Sequence, residues 1–299
     1  TINGGTVQLG STAGSFTGTT GLNITGPAGG LAALDINGRT ASINSTTINL
    51  GGTDTGSTAS ILDTAGTGSL TLAATSTTIT YNATNNPLGS VIAVDLIGTG
   101  GARTFIGNDS TTATTDLTVS GDYVSTSNNS LTLDGTGNNL FSGNITSDSL
   151  AETSRDLNKN GTGTWTLSGT INLGDTLSNN VGTLNISGNT RQNDLITTGT
   201  GVITNISGVV NGSLIADTAS NGIYTRTGAT TNILAANAVG SDIDVILVND
   251  NAAGTSTFNI NSFDVTIPRL DVGGASNTAD RIGNVTGTGT ITIGTRVNA

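Results

Sequence analysis

The amino-acid sequence predicts an all-β protein built as a parallel β-helix, or β-solenoid, with degenerate repeats and almost no α-helix. Thr, with 58 residues, and Gly, with 44, dominate the 299-residue chain. Apolar residues recur with period two in short bursts, and Gly-rich turns separate the bursts. Only 34% of the residues are apolar, which is a low fraction for a protein with a compact core. Stacked turns need less, because each turn buries only a few aliphatic side chains against its neighbours.

Strands are predicted where apolar residues alternate with Thr, Ser or Asn, because this pattern places the aliphatic side chains on one face. The clearest examples are Ser69–Leu72, Thr78–Tyr81, Asp116–Val119, Ser130–Leu133, Thr164–Leu167, Thr183–Ile186 and Thr290–Ile293. Two further segments, Val91–Ile97 and Ile243–Val248, are apolar at both alternating positions. They are predicted to form strands that are buried on both faces.

Turns are predicted at recurring glycine motifs between these strands. Asn-Gly begins at Asn3, Asn37, Asn160, Asn211 and Asn221, and Gly-Thr-Gly begins at Gly66, Gly98, Gly135, Gly161, Gly199 and Gly287. Glycine adopts positive φ without steric cost, which suits tight corners. Several Gly-Thr-Gly motifs lead directly into a strand, so the chain repeats one turn-plus-strand phrase. The spacing of the motifs is irregular, and the repeat is therefore degenerate.

The whole chain, residues 1–299, is predicted to form a single β-solenoid. Residues 148–160 interrupt the pattern, because they contain the only Glu (Glu152) and the only Lys (Lys159). Ser149 and Glu152 have the spacing of a capping box, which predicts a short helical turn. The segment is interpreted either as a loop that protrudes between turns or as a boundary between two solenoid segments.

The charge composition narrows the classes of partner. The net charge is −11, and all the acidic residues except Glu152 are Asp, which favours turns over helices. An acidic chain is not expected to bind nucleic acid, because that needs a basic stripe. The absence of Cys excludes disulfides and thiolate metal sites. No run approaches 18 apolar residues, so we predict no membrane-spanning helix.

One short motif resembles part of a calcium-binding loop. Asp156, Asn158 and Asn160, followed by Gly161, match the first half of such a loop. The twelfth position, where a bidentate carboxylate closes the coordination shell, is Leu167. These three residues are therefore only weak calcium candidates, and no other cofactor is expected.

Few residues are suited to catalysis. The chain has no His and no Cys, so triads that depend on either residue are excluded. Carboxylate pairs could be drawn from the Asp residues, but the basic residues that β-helical lyases and hydrolases place beside such pairs are scattered singly here. We therefore predict that the protein is not an enzyme.

Thr-x-Thr pairs, such as Thr164 with Thr166 and Thr290 with Thr292, are also a feature of ice-binding β-helices, which array Thr on a flat face. Such an array requires the pairs to stack in register over consecutive turns. The irregular spacing argues against it, and Thr at ordinary solvent-facing strand positions is the simpler interpretation.

Residues 157–169 (LNKNGTGTWTLSG) resemble the autotransporter-associated β-strand repeat, which reads L-x-K-x-G-x-G-T-[LW]-x-L-[ST]-G. Residues 1–10 (TINGGTVQLG) are similar to its closing half, and residues 66–74 and 287–294 are weaker matches. The resemblance implies a right-handed parallel β-helix passenger that is displayed on a bacterial cell surface, often in adhesion. The composition is also similar to that of Gram-negative surface-layer proteins and of extracellular filament subunits.

Both ends of the chain read as strands without an evident cap. Ile2, Val7 and Leu9 are apolar at the first end, and Ile291, Ile293 and Val297 at the second. The chain begins at Thr1 without Met or a signal peptide, and we expect a processed or excised start. Uncapped strands can be completed by adjoining repeats of the same polypeptide or by another copy, so these six residues are the candidate assembly residues.

Together these features predict a non-catalytic extracellular bacterial surface protein, an adhesin or passenger segment that acts as a structural or adhesive rod. The expected partners are copies of itself or adjoining repeats, and a host, neighbouring-cell or matrix surface. The alternative is a self-assembling subunit of an extracellular filament or surface layer, joined through its terminal strands. A β-helical enzyme or ligand-binding protein is the third class.

Overall fold

A computed structural model describes residues 1–10, 13–16, 21–148, 155–172, 175–212, 221–248, 255–273, 281–283 and 289–293. Within these ranges the chain forms 34 β-strands and no helix. All strand pairs described are parallel, and the chain stacks turn on turn. The predicted β-solenoid is therefore confirmed. The capping box predicted at Ser149 and Glu152 lies outside the described residues.

The chain divides into two compact units. Unit 1 contains Thr1–Ser149 and Gly161–Trp165, and unit 2 contains Leu150–Asn160 and Thr166–Ala299. One strand, β19 (Thr164–Leu167), contains residues of both units.

In unit 1 each circuit of the chain adds one strand to each of three parallel sheets. The first sheet contains β1 (Gly5–Gln8), β4 (Leu31–Asp35), β7 (Thr58–Leu62), β10 (Ser90–Ile92), β13 (Leu117–Val119) and β16 (Asn138–Phe141). The second contains β2 (Ala13–Phe16), β5 (Thr40–Ile43), β8 (Ser69–Leu72), β11 (Asp95–Gly98), β14 (Tyr123–Ser125) and β17 (Ile145–Ser147). The third contains β3 (Gly21–Gly26), β6 (Thr47–Gly52), β9 (Thr77–Asn82), β12 (Arg103–Gly107) and β15 (Leu131–Asp134).

Unit 2 repeats this arrangement with shorter strands. One sheet contains β22 (Thr183–Ile186), β25 (Ile203–Ile206), β28 (Thr230–Ile233), β30 (Thr257–Asn259) and β33 (Arg281–Gly283). Another contains β20 (Ile171–Asn172), β23 (Thr190–Gln192) and β26 (Val210–Gly212). The longest contains β18 (Leu157–Lys159), β21 (Leu177–Asn179), β24 (Asp194–Thr198), β27 (Gly222–Arg226), β29 (Asp244–Val248) and β32 (Leu270–Gly273). A separate pair contains β31 (Val265–Ile267) and β34 (Ile291–Ile293).

The core consists of apolar side chains stacked in register from one turn to the next. In the third sheet of unit 1, Ile48 pairs with Ile79, Ile79 with Phe105, and Phe105 with Leu133. All four are at most 1% exposed. The ring of Phe105 also packs edge-on against Phe141, at a centroid distance of 5.8 Å. Each turn thus buries its aliphatic or aromatic residues mainly against equivalent residues of the next turn.

Stacked glycine turns form the corners. In unit 1 the Gly161-Thr162-Gly163 turn lies on Gly135-Thr136-Gly137, and the Gly163 N–H donates to the Gly135 carbonyl at 3.0 Å. A Cβ atom on Gly161 would lie 2.1 Å from the Gly135 carbonyl oxygen. The two backbones therefore approach too closely for any side chain, which explains the glycine at this corner.

The two segments that are apolar at both alternating positions behave differently. Asp244–Val248 is a strand whose first four residues are buried, as predicted for Ile243–Val248. The prediction for Val91–Ile97 is wrong, because the chain turns a corner there between β10 and β11. Val94, at this corner, is 1% exposed, whereas Val91 is 37% exposed on the outer face. The corner shifts the alternation, so the segment looks apolar at both positions.

Candidate functional site

Partly exposed aspartates stabilise the turns by accepting backbone hydrogen bonds. Asp54 Oδ1 accepts the N–H groups of Gly29 at 3.1 Å and Gly56 at 2.9 Å. Asp63 Oδ2 likewise accepts the Gly68 N–H at 2.6 Å. The hydrogen bond from Gly29 is the main cause that lowers the pKa of Asp54 from its ordinary value. These carboxylates perform the turn chemistry that the excess of Asp over Glu predicts.

Asp35 is 1% exposed and connects three turns of unit 1. It accepts hydrogen bonds from Thr64 Oγ1 at 2.7 Å, from Gln8 Nε2 at 2.8 Å and from the Asn37 N–H at 2.9 Å. Burial by itself raises the pKa of Asp35, but these hydrogen bonds and the backbone N–H of Thr64 lower it overall. The charged form is therefore the one that this site stabilises.

In Asp116 the effect of burial on the pKa outweighs that of the hydrogen bonds. It is 1% exposed, and burial raises its pKa above the ordinary value. Its two carboxylate oxygens accept the N–H groups of Ser110 and Asn138, each at 2.7 Å. These hydrogen bonds offset only part of the effect of burial.

Three cationic side chains are buried among the described residues, and two of them, Arg103 and Lys159, are fully buried. Arg103, 0% exposed, directs its guanidinium at carbonyl oxygens rather than at a carboxylate. The acceptors are the carbonyls of Leu72 at 2.6 Å, Ala74 at 3.0 Å, Gly101 at 2.5 Å and Ala102 at 3.0 Å, together with that of Thr99. Burial lowers the pKa of Arg103. In unit 2, Lys159 is also 0% exposed, and its Nζ donates to the Val181 carbonyl at 2.6 Å.

The three calcium candidates lie along one strand of unit 2. Asn158 is the central residue of β18, and Asp156 and Asn160 flank that strand. Neighbouring candidates are therefore separated by roughly 6–7 Å of extended backbone. Asp156 and Asn158 are partly exposed, and the exposed Asn160 accepts a hydrogen bond from Asn180 Nδ2 at 2.9 Å. Calcium binding at these residues stays a prediction.

Four asparagines form a ladder on the outer face of unit 2. Asn205 Nδ2 donates to Asn185 Oδ1, Asn232 Nδ2 to Asn205 Oδ1, and Asn259 Nδ2 to Asn232 Oδ1, each at 2.8 Å. Asn185 Nδ2 in turn donates to Thr166 Oγ1 at 3.2 Å. A shorter ladder in unit 1 joins Asn49 to Asn23 at 2.7 Å. Sequence reasoning missed these ladders, although the recurring pattern x-N-I at residues 184–186, 204–206, 231–233 and 258–260 was a visible signal.

Hydroxyl groups also pair inside unit 2. Thr197, Thr204, Thr225 and Thr231 are 0% exposed. Thr197 Oγ1 donates to Thr204 Oγ1 at 2.8 Å, and Thr231 Oγ1 donates to Thr197 Oγ1 at 3.2 Å. Asn179 Nδ2 donates to Thr204 Oγ1 at 3.1 Å. These hydrogen bonds replace the hydrogen bonds to water that the buried groups lose on folding.

Tyr224 and Arg226 form a surface pair on β27. The guanidinium carbon of Arg226 lies 4.6 Å from the centroid of the Tyr224 ring, which is cation–π geometry. Burial is the main cause that raises the pKa of Tyr224, and the nearby Asp194 adds to it. Because Arg226 covers one face of the ring, that face is already occupied.

The candidate assembly residues of unit 1 lie on or beside its first strand. Ile2 bridges to Ile24, and β1 pairs with β4 so that Val7 stands opposite Leu34. Leu34 is 1% exposed, but Val7, on the same side of the sheet, is 47% exposed. Leu9 and Ile2 are partly exposed.

The candidates of unit 2 show the same arrangement. Ile291 and Ile293 pair with Val265 and Ile267, which are 2% and 0% exposed. Ile293 itself is 59% exposed, and Ile291 is partly exposed. Val297 lies outside the described residues. The assembly role of all six residues stays a prediction.

No metal centre emerges from the described part of the chain, in which no three His, Cys, Asp or Glu residues are placed to hold an ion together. Those same ranges contain no helix with the length and apolar composition needed to cross a membrane.

The chain matches no protein-family model, no curated protein and no solved structure.

Proposed function

We propose that the chain is a non-catalytic extracellular protein of the bacterial surface, whose stacked turns serve as an adhesive or structural element. The observation that carries the proposal is the use made of its charged side chains. Asp35, Asp54, Asp63 and Arg103 are all engaged with groups of their own or neighbouring turns. Charged groups that bond to other groups of the same protein stabilise its fold, which suits a structural role.

The placement of residues 157–169 supports a relation to autotransporter passengers. Leu157, Trp165 and Leu167 point into the interior and are at most 1% exposed. Trp165 Nε1 donates to the Asp134 carbonyl at 3.0 Å. Gly161 stands at a corner where a side chain would collide with the turn below. The residue types that carry the resemblance thus have structural roles that suit a stacked repeat.

The second candidate function is self-assembly into a filament or surface layer. It is favoured by Val7 and Ile293, which lie on the core side of their sheets and are nevertheless 47% and 59% exposed. An apolar core side that is exposed can be covered by further turns of the same polypeptide or by a second copy.

A lysine substitution separates these two candidates. We expect Val7→Lys and Ile293→Lys to abolish concentration-dependent assembly of the purified chain, because each places a charge on an apolar contact surface. The matched control is Val91→Lys, since Val91 is 37% exposed on β10, a strand paired on both sides. Assembly is read by light scattering and electron microscopy.

Adhesion is read with the same proteins, as saturable binding of labelled chain to bacterial cells and matrix-coated surfaces. A chain that binds these surfaces without assembling supports the adhesive role. A chain that assembles in the wild-type form, but not as Val7→Lys, supports the subunit role. A chain that does neither, and turns over a polysaccharide, ester or peptide substrate, refutes both.

A further inference from the structure

The outer face of one sheet of unit 2 repeats Asn on four consecutive turns and Thr on three of those four. Four strands begin with similar four-residue sequences. These are residues 183–186 (TLNI) in β22, 203–206 (ITNI) in β25, 230–233 (TTNI) in β28 and 257–260 (TFNI) at β30. Their pairing is in perfect register, so the first residues form one column and the asparagines form a second. The first column contains Thr183, Ile203, Thr230 and Thr257, and the second contains Asn185, Asn205, Asn232 and Asn259.

These columns form a two-dimensional lattice. Neighbouring strands lie roughly 4.7–4.9 Å apart, and alternate residues along a strand are separated by roughly 6.6–6.8 Å. Thr183, Thr230 and Thr257 are partly exposed, as are three of the four asparagines; Asn259 is 8% exposed. The face therefore presents hydroxyl, methyl and amide groups at regular intervals in both directions.

The lattice is held rigid before any ligand arrives. Each asparagine from Asn205 onward donates to the one before it at 2.8 Å, which fixes the side-chain rotamers. Side-chain ladders of this kind also favour a flat sheet over a twisted one. A rigid array loses little conformational entropy on binding, so its contacts contribute more of their energy to affinity.

The face is also free of charge within these eight positions, although the chain has a net charge of −11. A charged side chain orders water around itself, whereas Thr and Asn can take the places of water molecules in a hydrogen-bonded network. The next strand ends the pattern, because Arg281 stands opposite Thr257 and Gly283 opposite Asn259. The lattice is thus a bounded, uncharged patch.

We propose that this Thr/Asn face binds ice. A ligand that matches a rigid lattice in two dimensions must itself be periodic in two dimensions. Water molecules in the surface of an ice crystal repeat at distances close to those between the strands and along them. Threonine hydroxyls and asparagine amides hydrogen-bond to that surface, while the methyl groups of Thr and of Ile203 fill the spaces between its water molecules.

The test measures ice growth with the intact chain and one face variant. Wild-type protein is expected to inhibit ice recrystallisation and to produce a gap between the melting and the growth temperature. Thr230→Tyr places a bulky ring in the centre of the face, and it should lower the inhibitory activity by about tenfold. Thr71→Tyr is the matched control, because Thr71 is a partly exposed, outward residue of β8 in unit 1, and it should match wild type.

Circular dichroism and thermal melting establish that each variant is folded. If Thr230→Tyr is not folded, Thr183→Tyr, at the edge of the same column, replaces it. Wild-type protein without effect on ice growth overturns the proposal, and so does a folded face variant as active as wild type. Loss of self-association in Thr230→Tyr, with no effect of wild type on ice, would show instead that the face joins two copies of the chain.

Discussion

Arg103 is the clearest case of a single side chain that fixes its surroundings. Arg103 is 0% exposed, and its guanidinium satisfies carbonyl oxygens of two segments, residues 72–74 and residues 99–102. Arg103→Met keeps much of the volume but leaves these carbonyls without donors. We expect the free energy of unfolding to fall by about 3 kcal/mol, because buried acceptors that lose a charged donor are costly.

Chemical denaturation of the wild type and the variant measures this loss. The control is Arg269→Met, since Arg269 is half-exposed and its short ion pair is with the exposed Asp271 at 2.6 Å, whereas the buried Asp244 lies 4.0 Å away. Exposed ion pairs contribute little, so this variant should unfold close to wild type. Equal stability of Arg103→Met and wild type would show that the buried guanidinium is not needed.

Asp35 makes stability depend on pH. Its folded-state pKa is lowered, so its contribution is complete above the ordinary Asp range, near pH 4. That contribution is lost as the pH falls through the folded-state value. Asp35→Asn cannot titrate, and its stability should therefore fall less than that of wild type between pH 6 and acid conditions. The measurement is chemical denaturation of both proteins at both pH values. If wild type and Asp35→Asn lost the same free energy of unfolding between those pH values, the role assigned to Asp35 would be contradicted.

At the scale of elements, the glycine corners decide how closely the turns stack. A Cβ atom on Gly163 would lie 2.3 Å from the Gly137 carbonyl oxygen. We therefore expect Gly163→Ala to lower the free energy of unfolding by about 1–3 kcal/mol, the usual effect of overpacking. Gly10→Ala is the control, because a Cβ there meets no atom within 4 Å. Thermal melting compares the two, and equal midpoints would refute the close-contact explanation.

The elements also show what the sequence could reveal. The alternation in 69–72 and 183–186 predicted strands that the structure contains, since one side of each strand faces a continuous core. The inward hydroxyls of Thr204 and Thr231 were not predictable from alternation, because the partners Thr197 and Thr225 stand on strands of another sheet. The pairing of the asparagines into a ladder was not evident from the sequence for a related reason. Its members are 20 and 27 residues apart, since corner loops of unequal length separate strands that are in register.

The candidate sites were less predictable than the fold. The alternation of apolar and polar residues identifies which side of a strand faces inward, but not which strands become neighbours. Asp156, Asn158 and Asn160 looked like a loop in sequence and are spread along a strand in the structure. In the sequence, Val7 and Ile293 are assembly candidates only through their apolar side chains. Only the register opposite Leu34 and Ile267 shows that they lie on the core side of their sheets.

For the molecule as a whole, the proposed function requires that the protein works outside the cell. Immunolabelling with antibodies against the purified chain tests it directly, on intact and permeabilised cells that express the native gene. We predict that intact cells are labelled and that protease treatment of intact cells removes the label. Label that appears only after permeabilisation would contradict the account.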